Sequence, residues 1–274
     1  MRARLAMALI CLPFMAMAQQ AAPGDTALRE LATADQSRGW EAVGRIDLGN
    51  SAFCTGALIA PNLVLTAAHC LVQKDSGAPF PTEKIRFLAG WRNGRAVAYR
   101  GVRRAISHPS YVYDGPNKMD RVAYDVALLE LDQPIRLPSV RPFATAANPR
   151  QGDRIEVVSY ALDRSEAPSI QESCEVLGRE PRVLVLSCLV DFGASGAPVF
   201  SMSGGEPRIV SVISAKAEMD ARVVALASAA ADPIADLRAA LAAQGDSAAQ
   251  PVPGIKRVIV GGASSGTGAK FLRP

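Results

Sequence analysis

Three short stretches carry residue types that could carry out acyl transfer together. The first, Asp191-Phe192-Gly193-Ala194-Ser195-Gly196-Ala197-Pro198-Val199-Phe200, sets one serine among small residues ahead of a proline. A backbone of that kind can turn tightly and aim its own N–H groups at a reacting carbonyl. A serine hydroxyl is a poor nucleophile at neutral pH, so it needs a positioned base and a group that orients the base. Candidates for both lie upstream, in Thr66-Ala67-Ala68-His69-Cys70 and in Tyr124-Asp125-Val126-Ala127-Leu128-Leu129. The second histidine, His108, lies in Ser107-His108-Pro109-Ser110-Tyr111 and is read as structural, because His69 alone sits in a motif of this kind.

At these stretches the chain resembles the chymotrypsin/trypsin-like serine proteases, in particular the bacterial branch that includes the glutamyl endopeptidases. The order His69, Asp125, Ser195 is that family's order. The resemblance covers roughly residues 40–242. It implies an all-β fold of two packed six-stranded antiparallel β-barrels with a C-terminal helix, and the activity of a serine endopeptidase. Ser195 would attack a peptide carbonyl, His69 would carry the proton, and Asp125 would fix the imidazole tautomer. The N–H groups of Gly193 and Ser195 would form the oxyanion hole. Leu189, Ser211 and Ile213 would bind substrate, with Ser211 also supporting the buried aspartate. The position of the glutamyl endopeptidases' pocket histidine falls on Val210, and that of the trypsin pocket acid on Leu189, which favours apolar or small P1 residues. Asp191 is a further candidate to face that pocket. Where trypsins carry an aspartate that pairs with a newly cut N-terminus, this chain has Ala194, so activity is expected not to depend on one particular N-terminal residue. A catalytically silent binding module and an esterase using the same triad are the alternatives.

The elements that must position these residues are mostly strands. Apolar runs at 42–48, 53–59, 63–66, 85–88, 96–106 and 126–131 are separated by turn residues and read as the N-terminal barrel, residues 40–141. A proline-rich crossing over 133–152 leads to runs at 154–160, 183–188, 197–200, 209–213 and 222–226, the C-terminal barrel, residues 142–231. Residues 232–245 read as a helix: Asp232 can cap it, Pro233 suits its first turn, Ile234, Leu237 and Leu241 share a face, and Gly245 suits its end.

Residues 1–18 combine Arg2 and Arg4, an apolar run and Ala16-Met17-Ala18, the pattern of a signal peptide that would also remove Cys11. Residues 19–39 are expected to be a flexible lead-in or a short propeptide, and 246–274 a flexible tail. Two look-alike motifs in that tail are set aside. Ile259-Val260-Gly261-Gly262 sits at the wrong end for an activated N-terminus, and Gly262–Gly268 has no room for a dinucleotide-binding unit.

Cys54, Cys70, Cys174 and Cys188 remain, an even number that argues for disulfides in an exported protein; of three possible pairings, proximity favours the sequential one. Cys54–Cys70 also matches the bridge that the resemblance implies beside the catalytic histidine. Its loop of about 15 residues is worth on the order of 3 kcal/mol in the chain-entropy model. With two histidines and no C-x-x-C pair, no metal site is expected, and no cofactor. The net charge of +4 falls by two on losing Arg2 and Arg4, and no basic run is interleaved with aromatics, so no nucleic-acid partner is expected. No later stretch approaches the ~20 apolar residues of a membrane helix. The expectation is therefore a monomer with a polypeptide substrate and no stable membrane association, exported to the periplasm or outside the cell.

Overall fold

The alternating strands of the first half close on themselves. In the computed structural model, which describes residues 27–49, 52–219 and 221–248, the strands β2 (Val43–Leu48), β3 (Ala52–Ala60), β4 (Leu63–Thr66), β5 (Ile85–Ala89), β6 (Ala98–Ser107) and β7 (Ala127–Leu131) form a closed barrel in the order β2-β3-β4-β7-β6-β5. All its pairings are antiparallel. Its interior is aliphatic, with Ile46, Leu58, Leu65, Phe87, Leu128 and Leu129 buried. Burial of such side chains contributes roughly 1.5–3 kcal/mol apiece.

The second half repeats the architecture. Strands β9 (Arg154–Ala161), β10 (Arg164–Glu180), β11 (Val183–Leu186), β12 (Pro198–Ser201), β13 (Arg208–Met219) and β14 (Arg222–Ala229) run β9-β10-β11-β14-β13-β12 and close through a β12–β9 pairing. The short β8 (Ala144–Thr145) adds to β13 in parallel. The chain is thus all-β, two six-stranded antiparallel barrels with a C-terminal helix. Trp40, Phe143 and Phe200 pack against one another, with ring centroids 4.7–5.9 Å apart.

Several features depart from the sequence expectations. Residues 27–39, expected as part of a flexible lead-in, are folded onto the second barrel. There β1 (Arg29–Glu30) pairs with β10, Leu31 N donates to Pro168 O at 2.8 Å, and Leu31 is fully buried. β10 was not expected at all. It is polar, carries Pro168 and shifts register twice against β9, so no two-residue alternation marks it. The C-terminal helix α2 (Ala231–Ala248) does not stop at Gly245, although Ile234, Leu237 and Leu241 are its buried face as expected. A short helix, α1 (Lys118–Ala123), precedes Asp125. Asn117 caps it by accepting from Met119 N at 3.0 Å and Asp120 N at 3.4 Å. Both sequential disulfides, Cys54–Cys70 and Cys174–Cys188, are formed. The signal-like segment 1–18 and the tail motifs beyond residue 248 lie outside the described residues.

Candidate active site

His69 sits on a short 3-10 turn (Ala68–Leu71) that follows β4, next to the Cys54–Cys70 bridge. Its backbone N–H donates to Asp125 Oδ1 at 2.8 Å, and its Nδ1 lies 2.6 Å from Asp125 Oδ2. With Nδ1 turned to a carboxylate, the proton belongs on Nδ1, and Nε2 is left as the basic nitrogen. Asp125 is 3% exposed and His69 25%, so the acid is enclosed while the imidazole edge faces solvent. Asp125 Oδ2 also accepts from Ser214 Oγ at 2.5 Å. Ser228 Oγ donates to Val122 O at 2.5 Å, with the main-chain carbonyl of Asp125 as its longer second acceptor at 3.2 Å. Both serines belong to the second barrel, so the aspartate delivered by the first barrel is fastened by the other.

Ser211 does not have the role expected of it. It is fully buried within β13, paired with Val199 and Ala229, and its Oγ has no hydrogen-bond partner. Ser214 takes that place because the β13–β14 register shifts between Ile213 and Ala215, turning the Ser214 hydroxyl out of the ladder towards Asp125. The expected alignment was therefore displaced by three residues. The position before the supporting serine is Ile213, not Val210. Val210 and Ile213 are both packed in the second barrel's core with Val190, Ala194 and Ala227. Of the expected substrate-binding residues only Leu189 is exposed, at 42%, and its N–H is held by Gln171 Oε1 at 2.7 Å. Asp191 pairs loosely with Lys216 across 3.8 Å, both half exposed.

Ser195 and His69 line the same cleft, of about 770 Å³, together with Phe53, Leu162, Phe192 and Gly193. A second hollow of about 550 Å³ lies on the Asp125 side of His69, bounded by Tyr111, Ser214 and Ala215. Burial, reinforced by the charge of Asp125, pushes the Tyr111 phenol well above its ordinary pKa, so it faces this hollow as a neutral group. No hydrogen bond joins Ser195 Oγ to His69 Nε2 here, and such contacts commonly tighten only when substrate is bound.

The turn that carries Ser195 depends on its glycines. Gly193 has φ +97° and Gly196 φ +79°. A Cβ on Gly193 would lie 2.5 Å from the Phe53 ring, and one on Gly196 would lie 2.2 Å from Thr66 Oγ1 and 2.3 Å from Thr55 O. Leu162 N donates to Phe192 O at 2.9 Å. Because a peptide is planar and trans, that bond sends the Gly193 N–H the opposite way. Neither Gly193 N–H nor Ser195 N–H has an acceptor among the described residues. Two free donors flanking a serine are what an oxyanion requires.

His108 is occupied elsewhere. Its Nδ1 accepts from Ser110 N at 3.1 Å, its Nε2 faces Asp236 of α2 at 3.4 Å, and its ring stacks on Tyr124. The metal-type ligands Cys54, His69 and Cys70 lie close together, but both sulfurs are consumed by the disulfide.

The family model described as Trypsin matches residues 32–178, more than half of the chain. The chain belongs to the trypsin family. It is a trypsin/chymotrypsin-like chain with bacterial glutamyl endopeptidases among its relatives. The matched stretch includes His69 and Asp125 and ends before Ser195. A trypsin of Simulium vittatum is 32% identical over 133 residues, 45% of this chain and 47% of the relative. A glutamyl endopeptidase of Bacillus licheniformis is 26% identical over 151 residues, 55% of this chain and 46% of the relative. This chain spans less than half the length of these relatives. Among solved structures, a Glu endopeptidase superposes with a TM-score of 0.66 at 20% identity, covering 80% of this chain and 98% of that one. A scabies mite inactivated protease paralogue superposes at 0.61 with 14% identity, covering 81% and 97%. These two likenesses show the fold.

Proposed function

We propose that this trypsin-family chain is an exported serine endopeptidase that hydrolyses peptide bonds through an acyl-enzyme on Ser195. The observation that carries the reading is the Asp125 cluster: one buried carboxylate holds His69 at both its N–H and its Nδ1, leaving Nε2 basic beside the cleft that Ser195 lines. In the attack, Ser195 Oγ bonds to the substrate carbonyl carbon while its proton passes to His69 Nε2. The carbonyl oxygen becomes an oxyanion facing the Gly193 and Ser195 N–H groups. The imidazolium, stabilised by Asp125, then gives its proton to the leaving amine as the C–N bond breaks. Water repeats the sequence in reverse, taking the acyl group from Ser195 and restoring the hydroxyl. Neither step uses a metal or cofactor.

Export is supported by the two disulfides and by the signal-like pattern of residues 1–18. Ala194 is fully buried and offers no carboxylate for a new N-terminus, which supports activity independent of one particular start residue. The preference for apolar or small P1 side chains rests on Leu189, an exposed apolar residue six positions before Ser195. A positional peptide library, assayed in parallel with small esters, tests this reading. Cleavage after apolar or small residues is expected. Strong cleavage after Arg or Lys would contradict the specificity, and ester turnover without peptide turnover would make the chain an esterase.

A further inference from the structure

The loop from Asp191 to Ala197 has few anchors of its own. Inside it, Ala194 N donates to Asp191 O and Ala197 N to Ala194 O, each at 2.9 Å. Ala194 has no polar side chain with which to fix it. Most of its remaining carbonyls are taken from outside, and one residue takes two of them. Thr55, on β3 of the first barrel and fully buried, donates its N–H to Ser195 O at 2.8 Å and its Oγ1 to Gly193 O at 2.8 Å.

The direction of the hydroxyl is fixed by its neighbours. Thr55 Oγ1 accepts from Tyr160 N at 3.1 Å, so its single proton is committed to Gly193 O. Thr66 Oγ1 holds the Thr55 carbonyl at 2.8 Å, completing the residue's hydrogen bonding. The 193–194 peptide that this hydroxyl grips lies between the two peptides whose N–H groups are left free, those of Gly193 and Ser195. Planar peptides turn as units, so a hydroxyl that stops the middle one from rotating limits the rotation of both donors.

We infer that Thr55 is a positioning residue for the oxyanion-binding N–H groups, its hydroxyl holding the nucleophile loop from the first barrel in place of an anchor at position 194. The inference rests on the proposed peptidase activity. It makes Thr55 a contributor to kcat through Gly193 and Ser195, without contact to substrate.

The test replaces the hydroxyl by a methyl of similar size, Thr55→Val, with Thr55→Ser as the conservative variant. Each is assayed on the same peptide substrate and for affinity towards a peptide aldehyde, whose hemiacetal on Ser195 places an oxyanion between the two N–H groups. Thr55→Val is expected to lower kcat by about 10–100-fold, less than or comparable to complete loss of a donor, with KM within about threefold. Aldehyde affinity should fall in proportion to kcat, and Thr55→Ser should restore both. If Thr55→Val does not fold, Thr55→Ala is read in the same way. A folded Val or Ala variant with full kcat and full aldehyde affinity, even if less heat-stable, would overturn the inference and leave Thr55 as a link between barrels. Absence of turnover by the wild-type chain would instead be a failure of the peptidase reading.

Discussion

In the proposed mechanism Gly193 meets two demands, because its N–H would face the oxyanion and its backbone adopts φ +97° against the Phe53 ring. A methyl there both strains the conformation and forces the loop off Phe53. Gly193→Ala is therefore expected to keep the fold but lower kcat by about 10²–10³-fold, the usual loss when an oxyanion donor is displaced. Steady-state kinetics on a peptide substrate checks it, and unchanged kcat would place the oxyanion elsewhere. His69 and Asp125 were legible in sequence because each lies in a motif whose neighbours fix the local backbone. The support of Asp125 was not. Ser211 and Ser214 stand three apart in one strand, and only the register shift after Ile213 decides which hydroxyl leaves the ladder. Thr55 was invisible for a related reason: its hydroxyl acts on a loop 138 positions away in sequence.

At the scale of elements, the barrel strands with apolar runs were readable, since those runs are buried almost continuously and turn residues bound them. β10 and α1 were not. A bent, half-polar strand has no period, and a six-residue helix is too short to show one. β7 is buried at every position and yet carries a charge. Glu130 is buried between β4 and β6, where it receives hydrogen bonds from Arg103 and Arg104, and Arg104 also donates to Leu241 O of α2 at 3.0 Å. Burial alone would raise the Glu130 pKa; the hydrogen bonds from Arg104 and Arg103 outweigh it and hold the carboxyl below its ordinary value. A depressed carboxylate stabilises the fold fully above the unfolded pKa, about 4.3, and that contribution is lost as pH falls through the folded value. Glu130→Gln is expected to cost about 1.5–3 kcal/mol at neutral pH, as for hydrogen bonds to a charged group. Thermal unfolding of both proteins from pH 7 to pH 3 should show the gap narrowing only below about pH 4.3. A gap independent of pH would assign the loss to packing instead.

The whole molecule explains why the site needs two barrels. The first supplies His69 and Asp125, the second supplies Ser195, and the fastenings cross in both directions. Ser214 of the second barrel holds the Asp125 carboxylate and Ser228 the backbone before it, while Thr55 of the first holds the loop that carries Ser195. The N-terminal segment joins the assembly through Leu31 and β1, a role that its polar, alanine-rich sequence did not announce. Fold class, both barrels and both disulfides were legible, because the motifs that carry the family resemblance, the apolar runs between turn residues and the proximity of paired cysteines are local signals. The lead-in was not, because its order comes from tertiary contacts, the pairing of β1 with β10 and the burial of Leu31.

The account stands on a serine activated by a base across the barrel interface, and labelling by a fluorophosphonate probe reads that activation directly. The chain beginning at Gln19 should label rapidly, whereas Ser195→Ala should not label and His69→Ala should label at least about 10³-fold more slowly. Equal labelling of wild type and His69→Ala, or none of any of the folded proteins, would contradict it.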